Sequence, residues 1–291
     1  MLTDFHLHTN YSDGKLSVRD TISIAKQKKL KMISVTDHDS VGGIKEAIEV
    51  SRNFDMICIS GLELSCRNDD TNIKFPQDIS IHILAYNLDY DKKELREYLN
   101  KYHSERKRIL LELITDLSNY GFDVRYEDIS VIAGCQMRIQ DIINHINSSF
   151  GCKIKKEKYI ELANSYYKKI FEKDCVLGDA IKIIKQSDGI PVLAHAFFSY
   201  KDYDVIKNSE QEVKELINYL YELGIEGIEV FYSKFNKTQT EYLLDIAQKN
   251  NLMITAGSDF HGTPLRKEMI TYEICELNST IEKMLAINRY K

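Results

Sequence analysis

Short apolar runs in this chain end, one after another, in a histidine or a carboxylate, and few folds bring so many such ends together. The first is Asp4-Phe5-His6-Leu7-His8, which reads as a strand, followed by a loop through Asp13 and Gly14. Alternate side chains of a strand share a face, so His6 and His8 point the same way. The run 31–36 stops at Asp37-His38-Asp39, and 56–60 closes on Gly61-Leu62-Glu63. His82 lies inside 79–86, and 190–194 stops at His195. A run at 227–232 follows, and 252–256 leads into Gly257-Ser258-Asp259-Phe260-His261. Amphipathic stretches separate most of these runs: Ser17 and Asp20 suit the start of one helix, Ser40 can cap another, and Val213, Leu216, Ile217 and Leu220 repeat at helical spacing. Alternating strands and helices predict an α/β fold with a largely parallel sheet or barrel. In barrel enzymes the strand ends that carry these polar residues form the rim where chemistry is built.

The alternation stops from about 91 to 187. Ile109, Leu110, Leu113, Ile114 and Leu117 form one helical stripe, and Ile139, Ile142, Ile143 and Ile146 form another. The expected organisation is a discontinuous barrel domain of seven strands, 1–90 and 188–291, with an all-helical insert, 91–187, after the fourth strand.

Eight histidines occur in the chain, and all but His103 and His145 fall in or at the end of an expected strand. With Asp13, Glu63 and Asp259 they make nine nitrogen and oxygen donors and no sulfur, a set that suits Zn, Mn or Fe(II). Nine donors exceed one coordination sphere, so two or three divalent ions, some bridged by a carboxylate, use them better. Any one of these residues alone has an ordinary reading as a helix cap, an ion-pair partner or a satisfied polar side chain. Six rim positions sharing that accident is a much poorer explanation.

Charge narrows the ligand. The formal net charge is -5 and the pI about 5.9, which argues against a protein built to wrap long nucleic acid and leaves room for a small phosphorylated substrate. The start lacks a basic and apolar leader pattern, and no apolar run reaches membrane length, so the expectation is a cytoplasmic protein without membrane partners. Six scattered cysteines with no CxxC pair are expected to be thiols in a reducing compartment.

His6-Leu7-His8 with Ser12-Asp13-Gly14, Thr36-Asp37-His38-Asp39, Gly61-Leu62-Glu63, His82-Ile83-Leu84, Leu193-Ala194-His195 and Gly257-Ser258-Asp259-Phe260-His261 together resemble the ordered motifs of the PHP (polymerase and histidinol phosphatase) superfamily. The resemblance spans about 1–90 and 188–265. It implies a distorted seven-stranded (β/α)7 barrel and a phosphoesterase with two or three metals. It implies that His6, His8, Glu63 and Asp259 hold one ion, that Glu63 bridges to a second held by His82 and His195, and that Asp13, His38 and His261 hold a third. Metal-bound water ionises near pH 7, so a hydroxide bridging two cations is the expected nucleophile. His195 or His38 is expected to return a proton to the leaving oxygen.

A helical insert at this place resembles that of stand-alone members acting on nucleotides, nucleoside bisphosphates or short RNA ends. The expected substrate is a small phosphomonoester, a nucleotide or nucleoside 3′,5′-bisphosphate. The alternatives are a 5′–3′ exonuclease on short RNA, a histidinol-phosphatase-like activity and a non-catalytic metal-binding module. Arg138 is the expected phosphate contact from the insert, with Lys234 a second candidate, whereas Arg106 and Arg108 read as a solvated helix face. Relatives commonly carry Pro-Gly and an arginine after the fifth-strand histidine. Here Ala196-Phe197-Phe198-Ser199-Tyr200 follows His195, exchanging a phosphate anchor for aromatic rings that either stack on a flat group or pack in the core.

Overall fold

The computed structural model describes residues 1–73, 75–129, 137–150, 156–201, 204–263, 269 and 277–287. The strands are β1 (Thr3–Leu7), β2 (Met32–Val35), β3 (Ile57–Arg67), β4 (Ser80–Tyr86), β5 (Cys175–Val176), β6 (Ile190–Leu193), β7 (Phe198–Lys201), β8 (Asp204–Lys207), β9 (Gly227–Tyr232) and β10 (Met253–Gly257). The helices are α1 (Val18–Gln27), α2 (Ile44–Arg52), α3 (Lys93–Asn119), α4 (Ile139–Phe150), α5 (Lys156–Phe171), α6 (Leu177–Gln186), α7 (Glu210–Leu223), α8 (Lys237–Lys249) and α9 (Asn278–Ile287).

Seven strands follow one path, β1-β2-β3-β4-β6-β9-β10. These are the seven runs read from the sequence. The His8 amide donates to Phe260 O at 2.9 Å and the Asp259 amide to His6 O at 2.9 Å, so the last strand folds back on the first. The result is a nearly closed barrel. β2, β6 and β10 are buried along their whole length, as expected where a sheet is covered on both faces.

The sheet is not uniformly parallel. β4 runs antiparallel to both β3 and β6, because no crossover helix separates it from β3 and a loop alone joins them. The reversal decides where His82 goes. It lies near the start of β4, and in a reversed strand that end is at the rim, beside the ends of the parallel strands. β3 is also longer than its apolar core suggests. Glu63 stands inside the strand rather than beyond it, and the strand continues past the rim to Arg67. β5 adds to β3, and β7 and β8 form a hairpin on β4; neither was expected from the sequence.

Local chemistry sets the helix ends. The Ser17 hydroxyl oxygen accepts the Asp20 amide at 3.1 Å at the start of α1. α2 begins at Gly43 with no side-chain cap, and Ser40 instead accepts the Gly42 amide. Reciprocal capping boxes open α7 (Ser209, Glu212) and α8 (Asn236, Gln239). α9 closes the barrel end opposite the rim: Thr280 donates to Ile254 O, and Met284 O accepts from Asn87, just beyond the far end of β4.

The chain divides into two compact units, Met1–Arg96 with Cys175–Lys291, and Glu97–Asp174. The barrel unit has a core that includes Leu7, Val18, Ile22, Ile33, Ala47 and Phe260. The helical unit has its own, including Ile109, Leu113, Leu117, Ile139, Ile142 and Ile146, the residues of the two stripes. Its limits are narrower than the expected 91–187. α6 belongs with the barrel, because Leu177, Ala180, Ile181 and Ile184 are buried and the helix packs on β3, β4 and β6. Cys58, Cys66 and Cys175 are buried, and burial pushes the Cys58 thiol up to about 12; the remaining cysteines lie outside the described residues. No helix among the described residues is long and apolar enough to cross a membrane.

Gly257 shows how tightly β10 closes on β1. A Cβ there would overlap His6 Cβ and Glu229 Oε1 and stand 3.2 Å from His6 Cα. Gly257→Ala is expected to lower stability by about 1–3 kcal/mol, read as a lower urea midpoint with an unchanged slope.

Candidate metal centre

The expected donors, drawn from β1, β3, β4 and the segments after β1, β2, β6 and β10, converge on one carboxylate. Glu63 is fully buried, and its two oxygens face different partners. Oε2 lies 3.1 Å from His6 Nε2, 3.0 Å from His8 Nε2 and 3.3 Å from His38 Nδ1. Oε1 lies 3.0 Å from His82 Nδ1 and 3.1 Å from His195 Nε2. Asp259 Oδ1 closes the first side, 3.3 Å from His8 Nε2 and 3.8 Å from His6 Nε2. Beyond His8, Asp13 Oδ1 is 3.0 Å from His261 Nε2 and 3.7 Å from His8 Nδ1.

All nine expected donors therefore meet. They form four groups whose donor atoms lie within 4.8 Å of one another: His8, Asp13, His38 and His261; His6, Glu63 and His195; His6, His8 and Asp259; and His38, Glu63 and His82. His8 lies in two of these groups, one toward each of its ring nitrogens, so the two sides of the cluster share it. His103 and His145 belong to the helical unit.

The hydrogen bonds around the cluster dictate which nitrogens remain. His6 Nδ1 faces Glu229 Oε1 at 2.9 Å, His195 Nδ1 faces Phe198 O at 3.2 Å, and His261 Nδ1 faces Asp259 O at 2.8 Å. Each of these partners can only accept, so each Nδ1 carries the hydrogen. In the neutral ring Nε2 is then a lone pair, and all three Nε2 atoms are aimed at carboxylate oxygens. Lone pairs 3.0–3.1 Å from carboxylates repel unless a cation lies between them. Buried His8 Nε2 and His38 Nδ1 also lack a hydrogen-bond partner among the described residues, although carboxylate oxygens stand within 3.3 Å of each. Nitrogen and oxygen donors arranged this way fit divalent metal ions.

Without ions the charges compensate one another. Burial pushes the Glu63 carboxyl up, but His6, His38 and His82 hold it well below the usual carboxylate range. Burial also raises Asp13, and His261 and His38 outweigh it to leave Asp13 lowered. Burial lowers His6 and His8, yet the surrounding carboxylates raise both, His8 to about 9. For His38 and His82 burial outweighs the pull of Glu63 and both rings are lowered.

The shell behind the donors contains residues that sequence reading passed over. Glu229, fully buried in β9, takes His6 Nδ1 on one oxygen and the His195 amide on the other at 2.9 Å. Tyr232 donates to Asp259 Oδ2 at 2.9 Å. Asp37 accepts from the Thr9 amide, the Thr9 hydroxyl and the Ser12 hydroxyl, fixing the loop that carries Asp13. Asp4 accepts the Ser258 amide and hydroxyl, and burial pushes its carboxyl up to about 7. Their signal was present as period-two alternation: Asp4 shares a face with His6 and His8, and Glu229 is a charge inside an apolar strand.

The expected substrate residues have other settings. Arg138 opens α4 and is bound to Asp141, Nε to Oδ2 at 3.1 Å and Nη2 to Oδ1 at 2.7 Å. Lys234 is exposed after β9. Phe197 is buried against Phe235 and Tyr242, the core alternative, while half-buried Phe198 stacks on Phe235 at 5.9 Å. Tyr200 lies flat on His82, ring centroids 4.9 Å apart.

Comparison with known proteins finds relatives that match along nearly the whole chain. A phosphoribosyl 1,2-cyclic phosphate 1,2-diphosphodiesterase of Eggerthella lenta is 22% identical over 90% of this chain and 95% of its own. A 5′–3′ exoribonuclease of Haemophilus influenzae is 24% identical over 89% of each chain. A 3′,5′-nucleoside bisphosphate phosphatase of Chromobacterium violaceum is 24% identical over 89% of this chain and 87% of its own. Among solved structures, a Bifidobacterium adolescentis protein described as a metal-dependent phosphoesterase superposes with a TM-score of 0.73 at 22% identity, covering 98% of this chain and 96% of that one. The model of the PHP domain matches residues 4–242, most of the chain and seven of the nine clustered donors, Asp259 and His261 lying beyond it, and the chain belongs to the PHP domain family.

Proposed function

We propose that this protein is a metal-dependent phosphoesterase that hydrolyses a small phosphomonoester, a nucleotide or nucleoside 3′,5′-bisphosphate. The observation that carries this reading is the division of Glu63, one oxygen toward His6 and His8 and the other toward His82 and His195. One ion is assigned to His6, His8, Glu63 and Asp259, a second to Glu63, His82 and His195, and a third to Asp13, His38 and His261. Mn, Zn or Fe(II) suits these donors. Such ions supply Lewis acidity toward phosphoryl oxygens and water acidic enough to attack near pH 7.

The chain's own groups hold this arrangement. Glu229 fixes the ring of His6 and the backbone of His195, so their Nε2 atoms stay aimed inward. Tyr232 holds Asp259. The side chains of His38 and His82 are 19% and 10% exposed and that of Asp13 is 34% exposed, so the mouth of the cluster lies on their side. His195 has both nitrogens engaged, with Phe198 O and Glu63, which favours His38 at the mouth for moving the leaving-group proton. Arg138 must exchange Asp141 for phosphate to serve as an anchor.

Purified protein with added Mn is expected to release phosphate from nucleoside monophosphates or bisphosphates, with a loss of at least about a hundredfold in His8→Ala; equal rates in the two proteins would refute the assignment. Short RNA in the same panel separates the exonuclease reading, which predicts nucleotide release with a steep salt dependence. Histidinol phosphate tests the third activity, and a metal-loaded chain inert on the whole panel would point to a non-catalytic module.

Elemental analysis tests the bridge. Glu63→Gln is expected to lose more than one bound ion per chain and Asp13→Asn one at most.

Proton linkage gives a further check. The His8 ring rises from 6.5 to about 9 in the metal-free fold. The stability this contributes is full below pH 6.5 and is lost as pH rises through about 9. An ion binding at His8 expels that proton, so affinity rises with pH by about tenfold per unit for each proton released. Thermal melting with and without Mn is therefore expected to diverge progressively between pH 6.5 and about 9.

A further inference from the structure

β3 outruns the barrel, and the overhang carries a cation. Glu63, Ser65 and Arg67 alternate with Leu62, Leu64 and Cys66. The second set is fully buried on the face covered by α6. The first set therefore shares the inner face, with Glu63 at the cluster and Arg67 two rungs farther out. The ladder identifies its neighbours. Ser65 pairs with His82, Arg67 pairs with Ser80, and Ser80 pairs with Tyr200 of β7. Arg67 thus stands on the His82 side of the mouth, one rung above the histidine on which Tyr200 lies flat.

Among the described residues the guanidinium has no ion-pair partner. Arg67 Nε is buried without a hydrogen-bond acceptor, and no ion pair joins the side chain to a described residue. The insert arginine differs, since Arg138 is held by Asp141 through two side-chain bonds. A buried donor left unmade costs free energy, and a half-buried arginine at the mouth of a site for phosphorylated ligands gains most from an acceptor that arrives with the ligand. A strand rises ~3.3 Å per residue, so the Arg67 Cα stands ~13 Å along β3 from that of Glu63. An arginine side chain spans at most part of that distance, so a phosphate it holds is separate from one held beside Glu63.

We propose that Arg67 is a substrate-binding residue that selects ligands carrying a second anionic group, a phosphate distinct from the one hydrolysed at the cluster. This rests on the phosphoesterase reading above and narrows its substrate class to bisphosphorylated molecules. Arginine suits the role because its planar fork meets two phosphate oxygens at once.

The test compares adenosine 3′,5′-bisphosphate with adenosine 5′-monophosphate on the Mn-loaded full chain. The wild type is expected to favour the bisphosphate in kcat/KM by about tenfold or more, the range for hydrogen bonds to a charged group. Arg67→Ala and Arg67→Met are expected to bring the ratio to near one, mainly through KM, and Arg67→Lys to restore part of it. A wild-type ratio near one, a ratio unchanged in the variants, or an equal loss on both nucleotides would overturn the proposal. If the wild type turns over neither nucleotide, the phosphoesterase reading fails by itself. Calorimetric titration of the same pair into the same proteins, now free of turnover, then decides on Arg67 by the same ratio of affinities.

Discussion

A fully buried carboxylate facing five imidazoles is the constraint around which this barrel is arranged. Glu63 has no solvent to stabilise its charge, and desolvating a carboxylate is costly unless opposite charge or donors replace the water. Two of these rings, His6 and His195, and His261 beside Asp13 have spent their Nδ1 hydrogens on acceptors behind them, which turns lone pairs toward carboxylate oxygens. In the metal-free chain protons fill the gap, as the raised His6 and His8 show. Cations fill it with the same sign of charge and satisfy more donors at once. Folding and metal binding are in this sense one electrostatic problem with two solutions.

The sheet topology serves that constraint. A purely parallel barrel brings only strand ends to the rim. The reversed β4 lets a residue near a strand's start join them, and the register Ser65↔His82 sets His82 one rung beyond Glu63. The long β3 contributes the central carboxylate from its middle and still extends to Arg67. A shorter β3 would supply Glu63 but not the arginine above it.

Much of this was legible in the sequence, for a physical reason. Histidines and carboxylates at strand ends interrupt apolar runs, and His6-x-His8 states its own geometry through the two-residue period. The seven runs became the seven strands of the path for the same reason. Other features depend on partners far away along the chain. That β3 runs to Arg67 is decided by pairing with β4 and β5, not by the polar sequence Ser65-Cys66-Arg67. The β7–β8 hairpin carries little apolar pattern of its own. Glu229 reads as an ordinary strand glutamate until His6, 223 positions away, is seen to bond to it. Arg138 looked available because sequence shows the arginine and not its competition with Asp141. α6 was assigned to the helical segment because periodicity identifies a helix without saying which core receives it.

The backbone at the rim is strained where the chain turns away from the cluster. His195 and Asp259 have φ of 27° and 55°, and Asp39, beside His38, has 48°. Side-chain-bearing residues pay a strain of about 1–3 kcal/mol in such conformations and keep them only where the surroundings over-determine them. Those surroundings are visible here. The Asp259 amide is held by His6 O, the Asp39 amide by Glu63 O, and the His195 amide by the Glu229 carboxylate. Each strained residue is thus pinned by a donor residue or by the acid that orients two of them. The same bonds that aim the side chains inward hold the turns that lead the chain away from the cluster. A rim built this way resists relaxing toward ordinary backbone geometry, because relaxing one turn would break a bond at another donor.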